Sequence, residues 1–241
     1  MNSVVYTRIP ACDQALVKQA ASCGVADLHE ALGAIDGRLA LMSPQMRGIN
    51  RGVRIAGQAI TAYNFAGDNL LMHRALRLAT AGQVVVTSNG GISQGAQWGE
   101  MATLNARRKG LAGVIVDGNI RDADAIAAMG FPIWSTWISP SHSEKRGPGS
   151  VNIPIVCAGV LVEPGDVIVA DGDGVLAIPL RHLARAVEGA LKYGAREAHW
   201  RAKLTVDTDL FDLVGIQAAL DAAKVEERDT TWAEDRDSNN K

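Results

Sequence analysis

Strand-like and helix-like hydrophobic patterns alternate through the middle of the chain. The strand-like segments are β-branched or continuously apolar and lie at residues 53–64, 83–87, 113–118 and 131–137. The segments between them have apolar residues at helical spacing and lie at residues 70–79, 101–110 and 122–130. This alternation predicts an α/β layer fold with a largely buried sheet.

The two ends of the chain have different patterns. Residues 12–33 predict two helices, the second capped by Asp27 and ending at Gly33. After residue 150, short apolar runs separated by Pro-Gly-Asp and Asp-Gly-Asp-Gly predict antiparallel hairpins. Helical patterns follow from Leu180 and again near residues 209–223. We therefore expect one domain over residues 1–225 and a polar C-terminal tail over residues 226–241.

Composition narrows the functional class. The chain has 24 Lys and Arg against 26 Asp and Glu. It therefore lacks the excess of basic residues that nucleic-acid-binding proteins use to neutralise phosphates. No apolar stretch approaches the roughly 20 residues that a membrane span needs, and the N-terminus lacks a signal-peptide pattern. The three cysteines are widely spaced and predict neither a disulfide framework nor a zinc site. We expect a soluble, cytoplasmic protein.

Charged residues at two predicted element boundaries are candidates for chemistry. Glu100 follows a glycine-rich stretch at a predicted helix start, where free N–H groups attract anions. Arg121 and Asp122 directly follow an apolar strand, at the sheet edge where α/β proteins bind ligands. These residues could share a pocket. Alternatively, Glu100 only caps its helix and Arg121 and Asp122 form a surface ion pair.

Three segments resemble a known family. The spacing Glu100-x20-Arg121-Asp122 resembles the acidic-x20-Arg-Asp signature of class II pyruvate aldolases acting on 4-hydroxy-4-methyl-2-oxoglutarate and 4-carboxy-4-hydroxy-2-oxoadipate. These enzymes share a superfamily with the regulator of ribonuclease activity A. The segments GDNLLMH (67–73) and GSVNIPIVCAGVLVEPGDVIVADGDGV (149–175) agree, and the resemblance covers roughly residues 5–215. It implies an α/β/β/α sandwich with a mixed central sheet and helical N- and C-terminal extensions.

The resemblance also implies roles for individual residues. Asp122 matches the acid that binds a divalent cation directly, and Glu100 matches the acid that holds the cation's water ligands. Arg121 matches the arginine on the pyruvyl part of the substrate. The N–H groups of Met101 and Ala102, after Gly99, match the donors to the pyruvyl carboxylate. Glu197 matches a glutamate that reaches the metal waters of a neighbouring subunit, which implies a homotrimer or homohexamer.

The implied reaction is a retro-aldol cleavage through a pyruvate enolate. 4-Carboxy-4-hydroxy-2-oxoadipate would give pyruvate and oxaloacetate, as in bacterial degradation of aromatic compounds, and 4-hydroxy-4-methyl-2-oxoglutarate would give two pyruvates. Oxaloacetate decarboxylation would share the enolate. The lysines lie in helical or polar surroundings, which disfavours a Schiff base. Oxygen ligands with retained waters favour Mg²⁺ or Mn²⁺ over zinc.

Several alternatives stay open. The chain could be a non-catalytic regulator that binds a protein partner, or an aldolase or decarboxylase for another 2-oxo acid. His73 could be a ligand or a structural residue, and Asp68 and Asn69 could lie near the site or cap a helix. Residues 171–174 predict a tight turn rather than a calcium loop, because no helix and Glu follow at the required spacing.

Overall fold

The structure is a computed structural model that describes residues 3–238. Its contacts divide the chain into two compact units, residues 1–194 and residues 195–241. The domain boundary predicted at residue 225 stays a prediction.

The described residues form eleven strands and nine helices. The strands are β1 (Arg47–Gly48), β2 (Ile55–Asn64), β3 (Val84–Ser88), β4 (Ala96–Trp98), β5 (Gly113–Ile120), β6 (Ile133–Ile138), β7 (Gly149–Val151), β8 (Ile155–Cys157), β9 (Val160–Val162), β10 (Val167–Ala170) and β11 (Val175–Ile178). The helices are α1 (Gln14–Ser22), α2 (Val25–Ala40), α3 (Leu70–Leu78), α4 (Glu100–Arg108), α5 (Ala123–Met129), α6 (Leu180–Lys203), α7 (Leu210–Val214), α8 (Ile216–Ala223) and α9 (Trp232–Ser238).

The main sheet is mixed, as the resemblance implied. Its strand order is β1-β6-β5-β3-β2-β10-β11, with β4 added beside β5 and β7 beside β2. Strands β2, β3, β5 and β6 run parallel in adjacent pairs, whereas β10 and β11 extend the sheet in antiparallel fashion. Strands β8 and β9 form a separate antiparallel pair.

Three apolar clusters separate four layers. Helices α3, α4 and α5 cover one face of the parallel strands. The opposite face packs against β8–β9 and one side of β10–β11, and helices α1, α2 and α6 cover the other side of β10–β11. In β10, Val167 and Val169 face these helices while Ile168 and Ala170 face the sheet interior, the period-two alternation of a strand buried on both sides. The predicted α/β/β/α sandwich is confirmed.

The start of the second N-terminal helix differs from the prediction. The first residue of α2 is Val25 and its N-cap is Gly24, so Asp27 lies within the first turn instead of capping it. Gly33, with φ of 83° and ψ of 176°, ends the first helical segment of α2, as predicted, and a second helical segment continues to Ala40. The buried Ala40 anchors this second segment in the core.

Other turns and segments follow their sequence signals more closely. Residues 171–174 form the turn between β10 and β11, in which Asp171 Oδ1 accepts a hydrogen bond from Asp173 N. The predicted helix near 209–223 is two helices joined at Gly215, which has φ of 70°. The predicted tail contains the short helix α9. Over residues 3–238, no helix combines the length and the hydropathy that crossing a bilayer requires.

Candidate functional site

Strand β5 and helix α4 bring the predicted site residues to one place. Arg121 and Asp122 follow β5 at its carboxyl end, and Glu100 is the first residue of α4. Strand β4 joins these segments, because it pairs with β5 and because Arg121 N donates to the Trp98 carbonyl at 3.0 Å. The two parts of the motif, which have 20 residues between them in the chain, are therefore neighbours.

Asp122 connects the two parts directly. Its Oδ2 accepts a hydrogen bond from the backbone N–H of Glu100 at 3.0 Å and lies 3.6 Å from Arg121 Nε. Asp122 thus satisfies one of the free donors at the start of α4. Its backbone is left-handed, with φ of 59° and ψ of 35°, an uncommon conformation that asparagine and aspartate adopt more readily than other side chains.

Gly99 makes this close approach possible. A Cβ at position 99 would lie 2.7 Å from Asp122 Oδ2 and 3.2 Å from Arg121 Cγ. Its φ is −162°, so space and not backbone conformation requires the glycine.

A hydrogen-bond chain holds the first turn of α4 in place. The buried Trp98 donates from Nε1 to Thr103 Oγ1 at 2.8 Å, and Thr103 Oγ1 donates to the Gly99 carbonyl at 3.0 Å. Thr103 N also donates to that carbonyl. These bonds fix residues 99–102 against the end of the sheet.

A cavity of about 200 Å³ adjoins these groups. It has room for roughly six or seven waters at liquid density, a volume suited to a small organic acid and below that of typical drug-sized ligand pockets. The predicted site residues that line it are Gly99, Glu100, Met101, Ala102, Arg121 and Asp122. Glu100, Arg121 and Asp122 also line an open groove of about 770 Å³, together with Asp124.

The first-turn N–H groups of α4 give the cavity an anion-binding wall. Met101 and Ala102 lie in the turn where a helix has no internal acceptors for its N–H groups. The positive end of the helix dipole and the Arg121 guanidinium add to this wall, which can hold a carboxylate.

The carboxylates suit a hard cation. Asp122 Oδ2 contacts Glu100 N and Arg121 Nε. The Glu100 carboxylate is exposed and has no hydrogen-bond or ion-pair partner among residues 3–238. Over residues 3–238, no three His, Cys, Asp or Glu side chains converge to chelate a metal. Few carboxylates and free space for water fit Mg²⁺, which retains several water ligands, better than zinc.

The cavity is also lined by residues that the motif does not include. Asn69, His73, His142 and Lys145 line the same cavity. Partial burial lowers the pKa of the His73 imidazole, and the charge of Lys145 lowers that pKa further. Lys145 and His142 belong to an irregular segment between β6 and β7, for which neither periodicity nor spacing provides a signal.

The open alternatives for residues 68 and 69 have different outcomes. Asp68 Oδ1 accepts from Leu70 N at 2.8 Å at the start of α3, and Oδ2 accepts from the backbone N–H groups of Arg146 and Gly147. Asp68 is therefore a structural residue outside the cavity lining, whereas Asn69 lies in it.

Glu197 belongs to the second unit, on α6, where it pairs with Arg201 at 3.7 Å. Its role in a neighbouring subunit's site stays a prediction.

Comparisons with known proteins identify the family. A family profile described as "RraA-like: Aldolase/RraA" matches residues 25–177. A Halalkalibacterium halodurans protein named "Putative 4-hydroxy-4-methyl-2-oxoglutarate aldolase" is 37% identical over 170 residues, which are 70% of this chain and 80% of that protein. A Burkholderia mallei protein of the same name is 36% identical over 156 residues, 65% of this chain and 93% of that protein.

A solved structure agrees with the fold. A Streptomyces coelicolor protein, described as an unusual member of the RNase ES inhibitor RraA protein family, has a TM-score of 0.72 and 28% identity. The match covers 80% of this chain and 98% of that one. The chain therefore belongs to the RraA-like family.

Proposed function

We propose that the chain is a divalent-cation-dependent pyruvate aldolase. Its substrates would be 4-hydroxy-4-methyl-2-oxoglutarate, cleaved to two pyruvates, and 4-carboxy-4-hydroxy-2-oxoadipate, cleaved to pyruvate and oxaloacetate. The observation that carries this proposal is the convergence of Arg121, Asp122 and the first turn of α4 on one small cavity. The names of the relatives support the same reaction.

The anion-binding wall would hold the pyruvyl half of the substrate. The N–H groups of Met101 and Ala102 would bind the C1 carboxylate, and the Arg121 guanidinium would donate to the C2 carbonyl oxygen. Asp122 would hold Mg²⁺ or Mn²⁺ directly, with Glu100 and a neighbour's Glu197 binding through its waters. The cation, when bound, would act as a Lewis acid that stabilises the negative charge developing on the carbonyl oxygen.

Bond cleavage then follows from these positions. The C3–C4 bond breaks as the C4 hydroxyl loses its proton, and the electron pair moves to C3 and forms the pyruvate enolate. The Glu100 carboxylate, exposed beside the cavity, would receive the hydroxyl proton through a water. Arg121 stabilises the enolate with fixed positive charge. Oxaloacetate would give the same enolate by losing CO₂.

Asp122→Asn tests the metal role. The amide keeps an acceptor for Glu100 N but loses the charge that binds the cation, so we expect pyruvate release to fall at least about a hundredfold. Pyruvate release is measured by coupling it to lactate dehydrogenase, first with EDTA present and then with Mg²⁺ restored. Asp124→Asn, in the same groove, is the matched control and should keep its activity. Unchanged turnover in Asp122→Asn would remove the metal assignment.

Lys145 makes a Schiff base the competing chemistry, since it lines the cavity. Its side chain is exposed, without the desolvation that activates amines. Borohydride with pyruvate should therefore leave no adduct on Lys145 by mass spectrometry. An adduct, together with activity in EDTA, would overturn the metal-dependent route.

A non-catalytic regulator is the second candidate, because the related Streptomyces coelicolor structure is described as a member of an RNase ES inhibitor family. Absence of pyruvate release from either substrate with Mg²⁺ or Mn²⁺ would favour it.

A further inference from the structure

The strand that leads into α4 has a fully buried amide group. Gln97 is the middle residue of β4, and its side chain lies inside the sheet. Its Oε1 accepts hydrogen bonds from Asn64 Nδ2 on β2 at 3.1 Å and from Thr87 Oγ1 on β3 at 2.8 Å. Its Nε2 donates to the Asp117 carbonyl on β5 at 3.0 Å. One side chain thus ties β4 to three strands of the main sheet.

Backbone pairing alone gives β4 little support. The strand has three residues, and its pairing with β5 shifts register between Ala96 and Trp98, at Gln97 itself. A strand this short, at an irregular point of the ladder, is weakly fixed by its own backbone hydrogen bonds. The side-chain bonds of Gln97 therefore fix the strand where backbone pairing does not.

The position of β4 in turn determines the position of the anion-binding wall. Gly99 directly follows the strand and is the N-cap of α4, and the Trp98 carbonyl accepts the backbone N–H of Arg121. A shift of the strand would therefore displace the first turn of α4 and Arg121 together. Because the Gln97 amide is bonded within the sheet, it can act on a ligand only through these groups.

Neighbouring residues admit this amide and extend its reach. A Cβ at Gly118 would overlap Gln97 Nε2, so the glycine leaves the space that the amide fills. Asn64, which donates to Gln97, also accepts at Oδ1 from Met72 N in the first turn of α3 at 2.9 Å. The same set of hydrogen bonds therefore connects the starts of both helices beside the cavity.

We propose that Gln97 is a positioning residue, whose amide holds β4 so that the first turn of α4 and Arg121 face the same ligand. This inference rests on the proposed function, which assigns the pyruvyl carboxylate and carbonyl oxygen to these groups. Gln97 itself exchanges no proton with the substrate and holds no metal.

Oxalate binding tests the inference without turnover. Oxalate is an unreactive, planar dianion that resembles the pyruvate enolate in shape. Titration calorimetry on the full-length protein, with Mg²⁺ present, should show that Gln97→Met binds oxalate about tenfold more weakly than the wild type, or worse. Methionine fills a similar space but makes none of the three hydrogen bonds, so the groups of the wall lose their alignment.

Gln58→Met is the matched control. Gln58 is also a buried glutamine of the sheet, on β2, and its amide also makes three hydrogen bonds, with Pro10, Gln14 and Gly165. It lies outside the cavity lining. Urea unfolding should show a loss of stability in both variants, whereas only Gln97→Met should lose oxalate affinity. An equal loss of affinity in Gln58→Met would reduce Gln97 to a structural role and overturn the inference.

A milder pair of variants carries the test if Gln97→Met does not fold. Thr87→Val removes one of the two donors to Gln97 Oε1 from a position outside the cavity lining, and Thr87→Ser keeps the hydroxyl. Thr87→Val should weaken oxalate binding about threefold or more, and Thr87→Ser should bind as the wild type does. In a folded Gln97→Met background, Thr87→Val should add no further loss, because its partner is gone. Wild-type affinity in Thr87→Val and in any folded Gln97→Met would overturn the inference.

Kinetics distinguish this inference from the proposed function. Gln97→Met should lower kcat/KM for pyruvate release about tenfold or more, and Gln58→Met should leave it unchanged. Failure of the wild type to release pyruvate would refute the aldolase, and the oxalate comparison would still decide the role of Gln97. Failure of the wild type to bind oxalate with Mg²⁺ would refute the anion-binding wall and this inference with it.

Discussion

At the scale of single residues, the site depends on the absence of a side chain at position 99. A methyl group there would lie 2.7 Å from Asp122 Oδ2, closer than van der Waals contact allows. Arg121 and Asp122 have partly exposed side chains and can move aside, so the fold should tolerate Gly99→Ala. We expect kcat/KM for pyruvate release to fall roughly 10- to 100-fold, because the displaced groups lose their alignment.

Gly172→Ala is the matched control for this substitution. A Cβ at Gly172 meets no atom within 4 Å, and its backbone needs no left-handed conformation. Circular dichroism should show native structure in both variants. Wild-type kcat/KM in Gly99→Ala would mean that the positions of Asp122 and Arg121 do not limit the reaction.

A second prediction concerns the buried carboxyl of Asp166, in the turn before β10. Burial raises its pKa, the charge of Glu163 raises the pKa further, and the hydrogen bond from Glu163 N at 2.9 Å opposes both. Between the unfolded pKa, about 3.9, and the raised folded pKa, the native state binds more protons. The free energy of unfolding should therefore decrease as pH rises through this window.

Asp166→Asn should remove this dependence, since an amide still accepts from Glu163 N but does not ionise. Urea unfolding from pH 4 upward should show the variant gaining stability relative to wild type as pH increases. The exposed Asp173→Asn is the control. A pH-independent difference between Asp166→Asn and wild type would contradict the prediction.

At the scale of elements, a buried hydroxyl group links the first turn of helix α4 to strand β4. Thr103 Oγ1 accepts from Trp98 Nε1 and donates to the Gly99 carbonyl, and both Trp98 and Thr103 are buried. Thr103→Val keeps the shape but leaves the indole N–H without a partner. We expect a loss of about 1–3 kcal/mol in the free energy of unfolding, measured in urea.

Thr103→Ser keeps the hydroxyl and separates this bond from packing. It should retain most of the stability and activity. Thr103→Val should also lower the rate of pyruvate formation, because the first turn of α4 loses its hydrogen bond to Trp98. Equal stability of the two variants would show that the hydroxyl does not hold the helix.

The elements also show what the sequence could predict. Strands β2, β3, β5 and β6 are apolar runs bounded by turns, and their helices have regular apolar spacing, so local patterns suffice. Strand β4 has only three residues within a glycine-rich stretch and exists because β5 pairs with it. The Lys145 segment is irregular and is placed by hydrogen bonds from distant residues. The motif thus predicted part of the cavity lining, and the rest of the lining required the tertiary structure.

At the scale of the whole molecule, the remaining question is whether one chain makes a complete site. The resemblance assigns Glu197 to a neighbouring subunit, and in the structure this residue is half exposed on α6 and pairs with Arg201. If the subunits form a symmetric ring in which each Glu197 lies beside the next subunit's Asp122, every site is made by two chains. Glu197→Gln and Asp122→Asn should then each abolish activity when purified alone.

Mixed oligomers test this arrangement. In an equal, random mixture of the two variants, a site is intact only when its own subunit keeps Asp122 and its neighbour keeps Glu197. About a quarter of all sites should then be intact, and one site in three in each mixed trimer. Co-expression with two different tags and tandem purification would isolate these oligomers for the pyruvate assay. Mixing Glu197→Gln with itself under two tags is the control. If both residues acted within one chain, every site would carry one defect and the mixed oligomers would stay inactive.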